Sequence, residues 1–221
     1  MKTLLSEARL FAPLLALAFI LAACGGAGGG QHGSGSGGEM NGMEHGQMDH
    51  GSMGMSSGEM AREMVMENGK YSDKAFVDAM VPHHQGAIVM AKVALKNAEH
   101  DEIKELSGNI VSTQQAEIEE LKAIKKDEFG TSQLPMEMNS EQMGGMGMMM
   151  DPQVLADENP FDRAFIDAMI PHHQSAIEMA TVADQESENP RIKELAGNIV
   201  GAQEGEIEQM RRWREQWYQE G

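Results

Sequence analysis

The 221-residue chain has one cysteine, few aromatic residues (5%), and 17 Lys and Arg against 35 Asp and Glu, for a formal charge of −18. A lone cysteine cannot build an internal disulfide framework or supply the paired thiolates of a Cys-x-x-Cys zinc site. The shortage of basic and aromatic side chains excludes a nucleic-acid groove with stacking platforms. The longest apolar run, Leu10 to Ala23, has fourteen residues, too few to span a bilayer. Methionine, by contrast, is abundant: 21 residues, beside 25 glycines, although it is not a common residue of ordinary domains. Eight methionines fall between Met40 and Met66 and seven between Met136 and Met150, both glycine-rich stretches. They are therefore not core filler.

The first 23 residues read as a signal peptide, with Lys2, Glu7 and Arg9 ahead of the apolar run. Leu21-Ala22-Ala23-Cys24 resembles the lipobox of bacterial lipoproteins. That resemblance implies acylation of Cys24, with the glycine run Gly25 to Gly30 as a flexible tether. The mature chain would be more acidic still, and such a charge repels anionic lipid and polyanions. Membrane attachment would therefore come from the lipid anchor, at the periplasm or cell surface.

An internal repeat organises the rest. Phe76-Val77-Asp78-Ala79-Met80-Val81-Pro82-His83-His84-Gln85 recurs 89 residues later as Phe165-Ile166-Asp167-Ala168-Met169-Ile170-Pro171-His172-His173-Gln174. The same offset carries Ile103-Lys104-Glu105-Leu106 onto Ile192-Lys193-Glu194-Leu195, and Gln114, Glu117 and Ile118 onto Gln203, Glu206 and Ile207. Each unit reads as two helices. Phe76, Met80, His83, Ala87, Met90 and Ala94 form one heptad stripe, and Val77, Val81, His84, Ile88, Ala91 and Leu95 form a second beside it. Ser72, Asn159-Pro160 and Asn189-Pro190 supply helix-start signals.

Two helices cannot bury so wide a face, but four can. The expected fold is all-α, an antiparallel four-helix bundle from two duplicated hairpins. The boundaries are a signal peptide (1–23), a flexible Gly/Met/His-rich tail (24–69), hairpin repeat 1 (70–128), a Met-rich connector (129–159) and hairpin repeat 2 (160–221). Trp213, Trp217 and Tyr218 should plug one end of the bundle.

The chemistry-bearing residues cluster around Pro-His-His. A proline inside a helix removes a hydrogen bond, so its presence in both units marks a shaped site. Met80, His83, His84 and Met90 share one helix face, and Met169, His172, His173 and Met179 share the equivalent one. Glu117 and Glu206 lie on the apolar stripes of the partner helices, where a carboxylate requires an imidazole N–H or a metal ion. Two readings are open. Some of these residues bind a metal ion, or His83 and His172 only pack, bonded to Glu117 and Glu206 in a structural polar layer.

The tail adds a five-residue repeat, Met43-Glu44-His45-Gly46-Gln47 then Met48-Asp49-His50-Gly51-Ser52, followed by Met53. It resembles the Met- and His-rich tracts of bacterial extracytoplasmic copper-resistance proteins. Thioether sulfur selects Cu(I), while imidazole suits both copper states and zinc. The tail candidates are Met43, His45, Met48, His50 and Met53.

The two copies of Phe-x-Asp-Ala-Met-x-Pro-His-His-Gln, each followed by Glu-Leu-x-Gly-Asn-Ile and Gln-x-x-Glu-Ile, resemble the DUF305 family of secreted bacterial proteins over about residues 70–125 and 160–215. The resemblance implies a ferritin-like four-helix bundle and, for some members, periplasmic copper binding and copper resistance, with the family motif on His83, His84, His172 and His173. It also raises a rival, a ferritin-like metallo-oxidase. Di-iron enzymes of that kind use Glu-x-x-His pairs, whereas Met80 and Met169 stand three residues before His83 and His172. The leading expectation is a non-enzymatic, lipid-anchored copper-binding protein that sequesters or hands on Cu(I) or Cu(II), with a copper-trafficking partner that no residue identifies. A structural or partner-binding bundle is the third reading.

Overall fold

Four long helices are set by the duplicated stripes. The computed structural model describes residues 56–134 and 150–219. Within them, α1 (Ser57–Glu63) and a two-stranded hairpin, β1 (Met66–Glu67) and β2 (Lys70–Tyr71), precede α2 (Asp73–Asn97) and α3 (Asp101–Phe129). A short α4 (Pro152–Asp157) then leads into α5 (Phe161–Glu186) and α6 (Pro190–Trp217). α2 packs on α3, α5 on α6, and α2 on α5 across the two hairpins.

The helix starts follow the local chemistry. Ser72 caps α2 by accepting from Ala75 N–H, and Asn189 caps α6 by accepting from Arg191 N–H with Pro190 in the first turn. At α5 the expectation is one residue out. Pro160 is itself the N-cap, the Asn159–Pro160 bond is cis, and no side chain caps the end. α2 and α5 remain helical through Pro82 and Pro171.

The segment 56–69, expected to belong to the flexible tail, is folded. Ser56 and Glu59 form a reciprocal capping box on α1, and Ala61 and Val65 are buried in the core. Asn68-Gly69, both at positive φ, make the tight turn between β1 and β2. Arg62 reaches Glu178 of α5 at 2.8 Å. The polar, Gly- and Met-containing composition hid two buried apolar residues and a turn signal. Part of the expected connector is helical too, with Asp151 capping α4 and Leu155 buried.

The core is two clusters rather than one. The first takes the N-terminal half of α2 (Phe76, Met80), the C-terminal half of α3 (Ile118, Leu121), the C-terminal half of α5 (Met179) and the N-terminal half of α6 (Ile192). The second takes the complementary halves, with Met90, Ile103, Phe165, Met169, Ile207 and Met210. α2 and α5 are therefore antiparallel, and each cluster draws on all four helices. Leu95, placed on an apolar stripe by its spacing, is exposed, while Ala94 and Ala98 on the neighbouring stripe stay buried in the second cluster.

Ion pairs follow the duplication as well. Asp78 of α2 accepts from Lys74 at 2.7 Å and pairs with the buried Lys125 of α3. Their equivalents, 89 residues later, are Arg163, Asp167 and Arg214, with Asp167 lying 3.6 and 2.5 Å from the two guanidiniums. Lys125 also donates to the Gln133 carbonyl at 2.6 Å.

The end of the second cluster is closed as the aromatic residues suggested. The rings of Trp213 and Trp217 are near-parallel with centroids 5.5 Å apart, and Trp217 stacks on His100 at 3.8 Å. Buried Asp162 holds that imidazole. Its carboxylate accepts from Glu99 N–H, His100 N–H and His100 Nδ1 at 3.0, 2.8 and 2.6 Å, tying the α2–α3 loop to the start of α5.

Candidate metal centre

Between the two apolar clusters lies a polar layer built from the middle of every long helix. α2 supplies His83 and His84, α5 supplies His172 and His173, α3 supplies Gln114 and Glu117, and α6 supplies Gln203 and Glu206. The four histidines and both glutamines are buried, and the two carboxylates nearly so. Members of this layer are repeat-related, so the antiparallel crossing of α2 and α5 brings each histidine pair against its own duplicate.

His83 and His172 meet ring to ring, with centroids 3.9 Å apart and planes tilted by 44°. His83 Nε2 lies 2.7 Å from Ser175 Oγ, and Ser175 Oγ donates to the His172 carbonyl, also at 2.7 Å. A hydroxyl has one proton. With that proton given to the carbonyl, Ser175 can only accept from His83, which must carry its hydrogen on Nε2 and a bare lone pair on Nδ1. Burial pushes His83 well below the usual imidazole range, and the neighbouring His172, His84 and His173 push the same way. The ring is neutral, as a metal ligand must be.

His84 and His173 face carboxylates instead. His173 Nε2 lies 2.6 Å from Glu206 Oε2. Its duplicate, His84 Nε2, lies 2.9 Å from Glu117 Oε2, an ion-pair distance but outside hydrogen-bonding alignment. The purely structural expectation had assigned these carboxylates to His83 and His172. The structure assigns them to the other histidine of each pair, because the two imidazoles of a His-His step point about 100° apart around the helix. A carboxylate on one ring nitrogen fixes the tautomer and leaves the other nitrogen as donor to a metal.

The consequence is a layer rich in unmatched lone pairs. Nδ1 of His83, His84 and His173 and Oε1 of Gln114 and Gln203 are buried with no hydrogen-bond partner. Leaving such a group unsatisfied costs about 1–3 kcal/mol. The amide oxygens are acceptors, as is each Nδ1 whose ring holds its proton on Nε2, and a cation is one species that satisfies several at once.

The methionines flank this layer on both sides. Met80 and Met179 lie in the first apolar cluster, Met90 and Met169 in the second. Met80 and Met90, placed on one helix face by their spacing, are both buried but fall in different clusters, each of which also holds a methionine of the other repeat. No three His, Cys, Asp or Glu side chains among the described residues are gathered into a ready metal cage. The donor set is thus imidazole nitrogen, amide oxygen and thioether sulfur, in repeat-related pairs. Cys24, Met43, His45, Met48, His50 and Met53 lie outside the described residues, as does the connector from 135 to 149.

Sequence reasoning missed Ser175, the Lys125–Asp78 pair and the Asp162–His100 tether. The offset of 89 could have found the second, because it matches Asp78 with Asp167 and Lys125 with Arg214.

A duplicated hairpin bundle with a histidine layer across its middle defines a class of small helical proteins. The chain belongs to the DUF305 family, a domain of unknown function, whose family pattern matches residues 28–125 and 123–214. Among solved structures it is similar to CopM in its Cu(II)-bound form, at 42% identity with a TM-score of 0.62, and in its Cu(I)-bound form, at 38% and 0.59. Each of these matches covers 67% of this chain and 99% of CopM. A DUF305 fragment from Deinococcus radiodurans matches at 26% identity and a TM-score of 0.55, over 63% of this chain and 92% of the fragment. An uncharacterised protein of Acanthamoeba polyphaga mimivirus is 41% identical over 49 residues, 22% of this chain and 32% of that relative's length.

Proposed function

We propose that this protein binds copper outside the cytoplasm, for sequestration, tolerance or trafficking, while held at a membrane by a lipid on Cys24. The observation that carries the reading is the buried layer of unmatched acceptors, with methionines in the apolar cluster on either side, in a chain similar to a protein solved with Cu(I) and with Cu(II). Neutral imidazole suits both copper states and thioether favours Cu(I). The bundle residues are His83, His84, His172, His173, Met80, Met90, Met169 and Met179, with Glu117 and Glu206 orienting two imidazoles. Met43, His45, Met48, His50 and Met53 add a tail segment for capture. Binding is the task assigned, not turnover. The support for the anchor is the lipobox-like Leu21-Ala22-Ala23-Cys24; no helix among the described residues is long and apolar enough to cross a bilayer.

The test is titration of the mature chain, with Cys24→Ala for solubility, against Cu(I) and Cu(II) in competition with chelators. Changing all four layer histidines to Ala should remove the bundle share, and deleting 25–55, which spares the folded segment from Ser56 onward, should remove the tail share. Copper retention no greater than a buffer control in both redox states overturns the reading. An unchanged stoichiometry in the histidine variant, with only stability lost, makes the layer structural.

A further inference from the structure

The duplication is broken at one position beside the paired imidazoles. Pro82-His83-His84-Gln85 continues as Gly86-Ala87-Ile88, while Pro171-His172-His173-Gln174 continues as Ser175-Ala176-Ile177. Glycine in one repeat thus corresponds to serine in the other, with identical residues on either side. Glycine is a poor residue for a helix interior and serine only moderately better, so helix propensity does not explain a hydroxyl at this place. Its geometry does.

We infer that Ser175 is a positioning residue that sets which nitrogen of His83 is offered to a metal ion. The hydroxyl bridges the two repeats, donating to the His172 carbonyl in its own helix and accepting from His83 Nε2 in the opposite one, both at 2.7 Å. The bridge fixes the proton of His83 on Nε2 and fixes the plane of its ring. Nδ1 is left bare, buried and without a hydrogen-bond partner. At the equivalent position Gly86 has no side chain to do the same for His172. The two halves of the layer therefore differ, one imidazole being preset by the repeat opposite it and the other lacking that hydroxyl. Outer groups that orient a ligand in this way are typically worth roughly 10–100-fold in metal affinity.

The inference rests on the copper reading of the layer, and its test is arranged in two arms that fail separately. The first uses metal-free protein: long-range proton–nitrogen NMR of the imidazoles should show His83 as a single Nε2–H tautomer. In Ser175→Ala that signature should shift toward exchange between tautomers, and Ser175→Thr, which keeps the hydroxyl, should restore it. The second is chelator competition with Cu(I), in which Ser175→Ala should weaken the bundle site roughly 10-fold or more and Ser175→Thr should recover it. A wild-type His83 carrying its proton on Nδ1 overturns the inference. So does an Ser175→Ala spectrum identical to wild type, or a shifted spectrum with Cu(I) affinity unchanged. If His83→Ala leaves copper binding intact, the copper reading of the layer fails, and the first arm still decides whether Ser175 sets the tautomer.

Discussion

The two copies of the Asp-centred ion pair form an internal control for the value of burial. Lys125 is almost fully enclosed, with 1% of its side chain exposed and its partner Asp78 at 11%, whereas Arg214 and Asp167 are each 41% exposed. Removing one partner of a buried pair strands the other and costs about 3–5 kcal/mol. Here Asp78 keeps Lys74 at 2.7 Å, so Lys125→Met should cost about 3 kcal/mol, the lower end of that range. The solvent-screened Arg214→Met should cost no more than about 1 kcal/mol. Urea unfolding followed by far-ultraviolet circular dichroism measures both. In thermal melts the two variants should separate by several degrees, since 1 kcal/mol shifts Tm by roughly 2–4 °C at this size. Adding Asp78→Leu to Lys125→Met should recover much of the loss, because an apolar replacement leaves no stranded charge. Equal costs for Lys125→Met and Arg214→Met would refute the argument that enclosure sets the value of the pair.

Other perturbations test the layer and the closed end. His83 is neutral in the fold and titrates near 6.5 when unfolded. Its contribution to stability is therefore present above that pH and should be lost progressively as pH falls below it in metal-free protein, because the unfolded chain takes up the proton more readily than the fold. His172, His84 and His173 surround it, with Glu117 and Glu206 on His84 and His173; these groups are common to wild type and His83→Gln, so the difference between the two pH profiles in urea isolates this ring, and identical profiles sink the assignment. Replacing Met80 and Met179 together with Leu should keep the first apolar cluster filled, yet weaken Cu(I) roughly 10-fold while sparing Cu(II), since thioether prefers the softer ion. Competition titrations in both states read this, and parallel losses count against it. Trp217→Ala removes the stack on His100 and should destabilise by about 1–2 kcal/mol, with no change in copper stoichiometry.

The helices were legible because heptad stripes and cap residues act over a few positions. Phe76, Met80 and His83 recur at spacings that only a helix turns to one side, and Ser72 and Asn189 announce starts that the structure keeps. The presence of His83, His84, His172 and His173 in the interior followed from the same count. What escaped was what depends on the contact between α2 and α5. Which histidine of each pair meets a carboxylate is settled by a rotation of about 100° around the axis, and the crossing of two helices decides that, not the spacing within one. That Met80 and Met179 fall in one cluster has the same origin, because antiparallel packing places the start of one repeat's helix beside the end of the other's. The segment 56–69 is hidden by its composition. Its Asn68-Gly69 turn and Ser56-Glu59 box are short signals amid residues that otherwise read as linker.

Neither hairpin owns a core. Each apolar cluster takes half of every long helix, so a hairpin separated from its duplicate would expose one complete face, and only a second hairpin in the same place could cover it. The symmetry that now relates residues 89 apart is therefore the symmetry of a homodimer, carried within one polypeptide. In such a dimer the residue at position 83 would meet its own copy across the axis. The ring contact between His83 and His172 is the single-chain equivalent of that meeting, and a continuous chain leaves the two positions free to differ. A symmetric dimer cannot have glycine on one side and serine on the other; a single chain can.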